Sequence, residues 1–112
     1  LFLLVTLAKE GMSDEHQYAD HFLSDEEFSW QSQNATTQNS KRGQMIRSHH
    51  ALGLHVHLLV RPTKKTGAQP TPFTYCGEVD FAGWEGEAPI TVRWKLREGV
   101  PQSLRAQLKV PA

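Results

Sequence analysis

Apolar and polar positions alternate most clearly near the end of the chain. Ile90, Val92, Trp94 and Leu96 point one way, and Thr91, Arg93, Lys95 and Arg97 the other. That period of two predicts a half-buried strand with Trp94 in the core. Phe73, Tyr75, Gly77, Val79 and Phe81 alternate with Thr74, Cys76, Glu78 and Asp80, which predicts a partner strand. Glu85-Gly86-Glu87 with Pro89 reads as the turn between the two. Phe2 to Ala8 is apolar on both faces and predicts a central strand. Leu54 to Arg61 is apolar enough for another, and Pro62 to Pro72 is a Pro/Gly/Lys loop.

Helical spacing shows elsewhere. Gly11 ends the first strand, and Ser13 can cap a helix over 14–22 with Tyr18 and Phe22 on one side. Ser24-Asp25-Glu26-Glu27 has capping-box spacing for one further turn. Ser40 can open a helix to about Leu52, with Met45, Ile46, His49 and Leu52 inward and Gly53 as C-cap. Pro101 leads into a last short helix near Leu104. These elements predict an α+β domain over residues 1–112: a small, curled, mostly antiparallel sheet with short helices at its margin.

Charge changes the picture because it is unevenly placed. Formal net charge is zero, yet residues 1–40 hold seven acids and one base (Lys9). Residues 41–75 hold Lys41, Arg42, Arg47, Arg61, Lys64 and Lys65 and no acid. A central basic block is a local footprint of the kind nucleic-acid binders carry, with a solvated charged surface as the plainer alternative. The single Cys76 excludes an internal disulfide framework and a multi-cysteine zinc site. Leu1 to Ala8 is too short to span a bilayer and lacks a basic leader, so the expected compartment is the cytoplasm, with no membrane partner. Starting abruptly on an apolar strand without methionine predicts a piece excised from a longer protein.

Catalytic constellations are poorly supported. His55-x-His57 and His49-His50 invite a metal, but no carboxylate stands near them in sequence to complete a three-ligand site. No Glu-x-Lys or Asp-x-Lys occurs to complete a restriction-type nuclease site around Glu78, Asp80, Glu85 and Glu87. There is no G-x-S-x-G elbow and no Walker or dinucleotide glycine pattern. Binding without metal or cofactor is therefore the expectation.

The stretch from Phe28 to Gly43 carries the most chemistry. Phe28 and Trp30 stand among Gln31, Ser32, Gln33, Asn34, Thr36, Thr37 and Ser40, followed by Lys41, Arg42 and Gly43, with no acid after Glu27. Lys41, Arg42 and Arg47 fall on the opening turns of a helix, where free backbone N–H groups also favour a phosphate. Arg93, Lys95 and Arg97 form a basic stripe suited to positioning a duplex. Gln31, Gln33 and Asn34 have the paired donors and acceptors that read base edges. Phe28, Trp30, Tyr75 and Trp84 could line a stacking pocket; Tyr75 reads as core ahead of pocket, and Trp30 and Trp84 read equally as either.

The runs Tyr18-Ala19-Asp20, Phe28-Ser29-Trp30-Gln31-Ser32-Gln33, Ser40-Lys41-Arg42-Gly43-Gln44, His50…Gly53, Val56 to Arg61, Phe73-Thr74-Tyr75-Cys76-Gly77 and Trp84-Glu85-Gly86…Pro89-Ile90 carry a resemblance. From about Phe2 to Leu104 the chain resembles a domain of uncharacterised function at the C-terminal end of helicase–nuclease fusions. These include type IV restriction enzymes with a phospholipase-D nuclease and a superfamily 2 helicase. The resemblance implies a pseudo-barrel similar to SET-and-RING-associated and PUA-like modules, which flip a modified base into a pocket. It implies as partners double-stranded DNA carrying a modified base or backbone, and the helicase and nuclease domains of a parent protein. It places Trp30, Gln31, Ser32, Gln33, Ser40 and Gly43 on the matching motif positions; Thr37 and His50 are further candidate DNA contacts. A protein-docking module and a small nuclease are the alternatives.

Overall fold

The computed structural model describes residues 1–8, 20–32 and 36–111. The alternation over 90–97 folds as strand β8 (Thr91–Leu96), and every apolar position of the pattern is buried. It stands in the middle of a six-stranded sheet with β1 (Phe2–Ala8), β2 (His21–Phe22), β3 (Glu27–Gln31), β4 (Val56–Thr63) and β7 (Thr74–Glu85). The order is β1-β4-β7-β8-β3-β2, and only β1 and β4 are parallel. The sheet curls into a nearly closed, barrel-like form. Helix α1 (Lys41–Arg47) and helix α2 (Gln102–Arg105) flank it, and β5 (Lys65–Thr66) with β6 (Gln69–Pro70) makes a separate small hairpin.

The core lies inside the curl. Phe28, Trp94 and Phe81 form one cross-strand row, and Trp30, Val92 and Trp84 the next. Trp94 is 1% exposed and meets Trp30, Phe81 and His49 at ring-centroid distances of 6.5, 6.4 and 5.6 Å. Burying each such side chain contributes roughly 1.5–3 kcal/mol, so these two rows hold β3, β8 and β7 together.

Several expectations are corrected. Strand β1 is an edge, not a centre: Leu3, Val5 and Leu7 are buried, while Phe2 and Leu4 are 72% and 62% exposed. The helix expected over 14–22 lies mostly outside the described residues, but its end is strand, with His21 and Phe22 paired to Ser29 and Phe28. Ser24 to Glu27 is the tight turn of that hairpin, because Leu23 N–H closes on Glu27 O at 2.8 Å. The Ser24 hydroxyl accepts from Glu26 N–H, one residue short of a capping box. Helix α1 ends at Arg47 rather than near Leu52; turns follow, Gly53 closes them at φ +71, and Leu52 is 60% exposed.

The alternation along β7 breaks at Gly77. Between the pairs His57↔Glu78 and Leu59↔Tyr75, β7 takes three steps to two on β4, a bulge that inserts one residue. Gly77 sits there at φ +92, open to glycine but strained for other residues. The extra residue turns Tyr75 outward, 57% exposed, while Val79 stays buried. The expectation of Tyr75 in the core fails for that reason.

Candidate nucleic-acid interface

Strand β3 carries the aromatic motif, and most of the motif is architecture. Phe28 is 0% exposed and packs edge-on to Phe22 at 4.8 Å, so it cannot line a pocket open to a ligand. Ser32 is buried and closes the ladder to β8: its N–H donates to Ile90 O, and its hydroxyl accepts from Ile90 N–H, both at 2.9 Å. Ser32 thereby clamps β3 to the start of β8. Phe28, Trp30 and Ser32 alternate inward for a simple reason: they are the core-side positions of one strand. Gln31 is exposed, and its backbone N–H is held by Asp20 Oδ1 at 2.8 Å. Gln33 and Asn34 lie outside the described residues.

The four pocket candidates do not converge. Trp30 and Trp84 share a cross-strand row through Val92, half-buried against the core. Tyr75 stands nine positions before Trp84 on β7, about 30 Å away along a strand. Its hydroxyl is hydrogen-bonded to His57 Nδ1 at 2.8 Å on the outer face. A depression of about 280 Å³ borders Trp84, with Ser29, Thr91 and Arg93 among its walls.

Helix α1 is fixed at its start by an interlocked set of bonds. The Ser40 hydroxyl accepts from Gly43 N–H at 3.0 Å and donates to Thr37 O at 2.7 Å. Gln44 Nε2 donates to Gln38 O at 2.7 Å. Gln38 reaches the β7–β8 turn twice: Nε2 donates to Gly86 O at 3.0 Å, and its N–H to the Glu87 carboxylate at 3.2 Å. Ala88 N–H completes the clamp on Thr36 O at 3.0 Å. Gly43 is buried against this loop, where a Cβ would lie 2.2 Å from Thr37 O. Ser40, Gly43 and Thr37 thus hold α1 in place, and Gly43 N–H is already satisfied. What the clamp presents is Lys41, Arg42 and Arg47, all exposed and without an ion pair among the described residues. Gln38, Gln44 and Glu87 escaped the sequence reading because their contacts join segments more than forty residues apart or face a loop backbone.

The basic stripe on β8 is neutralised. Arg93 meets Glu27 at 3.3 Å, Lys95 pairs with Glu26, and Arg97 holds Glu78 at 3.0 Å and Asp80 at 2.9 Å. Arg93 and His50, both expected as DNA contacts, sit in such pairs; His50 Nε2 lies 2.6 Å from Asp80. The Arg97 guanidinium, with His50, holds the Asp80 carboxyl below its usual range. The hydrogen bond from His55, aided by Arg97, lowers Glu78 likewise. Exposed pairs of this kind add little stability, but they remove free positive charge from the face.

The central basic block divides as well. Arg61 is engaged on the outer face of β4, bonding Thr6 Oγ1 at 2.8 Å and lying 4.4 Å over the Phe73 ring. Lys64 and Lys65 stand by the start of β7, and α1 by its end. His55 and His57 engage Glu78 and Tyr75, and no group of three or more His, Cys, Asp or Glu among the described residues is arranged to hold a metal. Burial pushes the Cys76 thiol up to about 11, which keeps it protonated. Among the described residues, no helix is long and apolar enough to cross a membrane.

A curled, mixed sheet with a clamped cationic helix at one end defines a small β-rich domain. The chain belongs to the family described as Domain of unknown function (DUF3427), whose model matches residues 1–108. None of the curated proteins matches it.

Proposed function

We propose that this domain reads modified DNA for a restriction or defence protein, whose helicase and nuclease activities reside in other domains. The carrying observation is the α1 end of the barrel. There Lys41, Arg42 and Arg47 are unpaired among the described residues, on a helix bonded through Gln38 to the β7–β8 turn. Cations fixed in this way suit phosphate contacts, which supply affinity without reading sequence. Gln31 at the end of β3 is exposed at the same end of the sheet, paired in register with Thr91 and through it with Glu85. It offers an amide for a base edge. Trp30 and Trp84, half-buried one row further in, are the aromatic faces for an extruded base, whose stacking is worth roughly 1–3 kcal/mol against a flipping cost of a few kcal/mol. The protonated Cys76 thiol fits a binding role better than a nucleophilic one.

Replacing Lys41 and Arg42 together by alanine tests the phosphate contacts. Affinity is expected to fall about tenfold for plain and modified duplexes alike, and the slope of log affinity against log salt to drop by about 2. An unchanged slope would remove α1 from the interface.

A second reading, a docking module for the parent helicase, is favoured by the opposite side of the sheet. Edge strand β1 has no charge, proline or glycine to protect it, and its Phe2 and Leu4, with Tyr75 of β7, are exposed on the outer face of the sheet. Retention of the helicase region by a domain that binds no duplex at low salt would favour docking over reading.

A further inference from the structure

The β5–β6 hairpin has no part in the core or in the α1 end. Every residue from Lys64 to Pro70 is exposed, so these two-residue strands gain nothing from buried apolar surface. Hairpins of that size are marginal in water on their own. This one is latched by hydroxyls instead. Thr71 Oγ1 lies 2.7 Å from Thr66 Oγ1 and 3.2 Å from Thr63 Oγ1, and Thr63 Oγ1 donates to Lys65 O at 3.0 Å. Thr71 N–H donates to Lys64 O at 3.1 Å, and Arg61 Nη1 reaches Thr71 O at 3.3 Å from below. Pro62, Pro70 and Pro72 restrict φ at the base. The latch holds up Lys64 and Lys65, exposed and without an ion pair among the described residues. No acid occurs between residues 41 and 75 to answer them. Ordering a ribbon with no core costs conformational entropy. A latched ribbon with two exposed cations at its base and on its first strand suits a fixed polyanion.

We infer that the Lys64–Pro70 hairpin is a second phosphate-contacting element, a basic wing that docks on the backbone of the duplex held by α1. It rests on the DNA-reading proposal and extends it to a second surface. Strand β7 runs from Thr74, beside the base of the hairpin, to Glu85, at the turn that anchors α1. Its twelve residues span at most about 36 Å, less where its two bulges bend it. One turn of B-form DNA is about 34–36 Å, so the two basic elements lie within reach of phosphates on a single helical turn.

Two measurements on the whole domain test the wing. The first is Lys64→Ala with Lys65→Ala, at exposed positions where thermal melting verifies an unaltered fold. Duplex affinity is expected to fall about tenfold and the salt slope by about 2, with the ratio of modified to plain binding unchanged. The second is Ala68→Cys carrying a tethered iron chelate at the hairpin tip, made with Cys76→Ala so that position 68 holds the one thiol. Hydroxyl radicals from position 68 are expected to cut the bound duplex at one locus. Full affinity and an unchanged slope in the double alanine variant, or no cleavage from position 68 in a complex that forms, overturns the wing and leaves the α1 surface standing. If the unaltered domain retains no duplex at low salt, the DNA reading itself fails and the wing with it.

Discussion

Gly43→Ala is expected to destabilise the domain by about 3 kcal/mol, although alanine is the better helix former by about 1 kcal/mol. The added methyl would lie 2.2 Å from Thr37 O and 2.8 Å from Gln38 O. Both are backbone atoms, with no side chain to rotate aside. Relief requires the 37–38 loop to retreat, which breaks the Ser40 hydroxyl bond to Thr37 O and the Gln44 amide bond to Gln38 O. The bonds from Gln38 to Gly86 and Glu87 go with them, and α1 loses its anchor on the β7–β8 turn. Urea denaturation measures the change as a lower midpoint at constant slope. A neutral or stabilised variant would show that Gly43 does not set the loop. Because α1 carries the exposed cations, the same variant should also bind duplex more weakly.

His49→Ala is expected to cost about 4 kcal/mol. The ring is 1% exposed and joins the turn after α1 to the sheet. Phe81 N–H can only donate, so His49 Nε2 accepts from it, at 3.1 Å. The hydrogen is then on Nδ1, which donates to Leu54 O at 3.1 Å. Alanine leaves a cavity beside Trp94 and strips a partner from two backbone groups, each worth about 1–3 kcal/mol if left unsatisfied. Gln keeps an acceptor near the Nε2 position and Asn a donor near Nδ1, so each is expected to recover part of the loss. Equal losses for all three variants would show that packing alone, and not the two bonds, makes the site.

How much of this was legible in the sequence depended on the range of the interaction. The alternation from Ile90 to Leu96, the Ser40 cap and the Glu85–Pro89 turn are local, and all three stand as read. Strand β1 was misplaced because seven uncharged residues look the same at the centre of a sheet and at its edge. Tyr75 was misassigned because one inserted residue at Gly77 reverses the alternation, and a bulge needs its partner strand to be seen. The hairpin at 65–70 was read as loop because hydroxyl bonds, not an apolar pattern, hold it.

Within the candidate interface, the residues that the sequence singles out divide between fold and surface. The stretch Phe28–Gly43 does lead into a cationic helix. Yet Phe28, Ser32, Ser40 and Gly43, the most distinctive residues of its motifs, serve the fold, and the cations of the β8 stripe are answered by Glu26, Glu27, Glu78 and Asp80. A motif specific enough to mark a family can be specific because it packs. What remains for a ligand is smaller and sharper: Lys41, Arg42 and Arg47, the Gln31 amide, and the half-buried faces of Trp30 and Trp84.

The most direct measurement of the proposed reading of modified DNA is a titration of the domain with one duplex sequence in plain, cytosine-methylated, hydroxymethylated and phosphorothioated forms at fixed salt. At least one modified duplex is expected to bind tenfold or more tightly than the plain one, a difference of about 1.4 kcal/mol. Equal affinity across all four forms would contradict modification sensing, whatever the strength of binding.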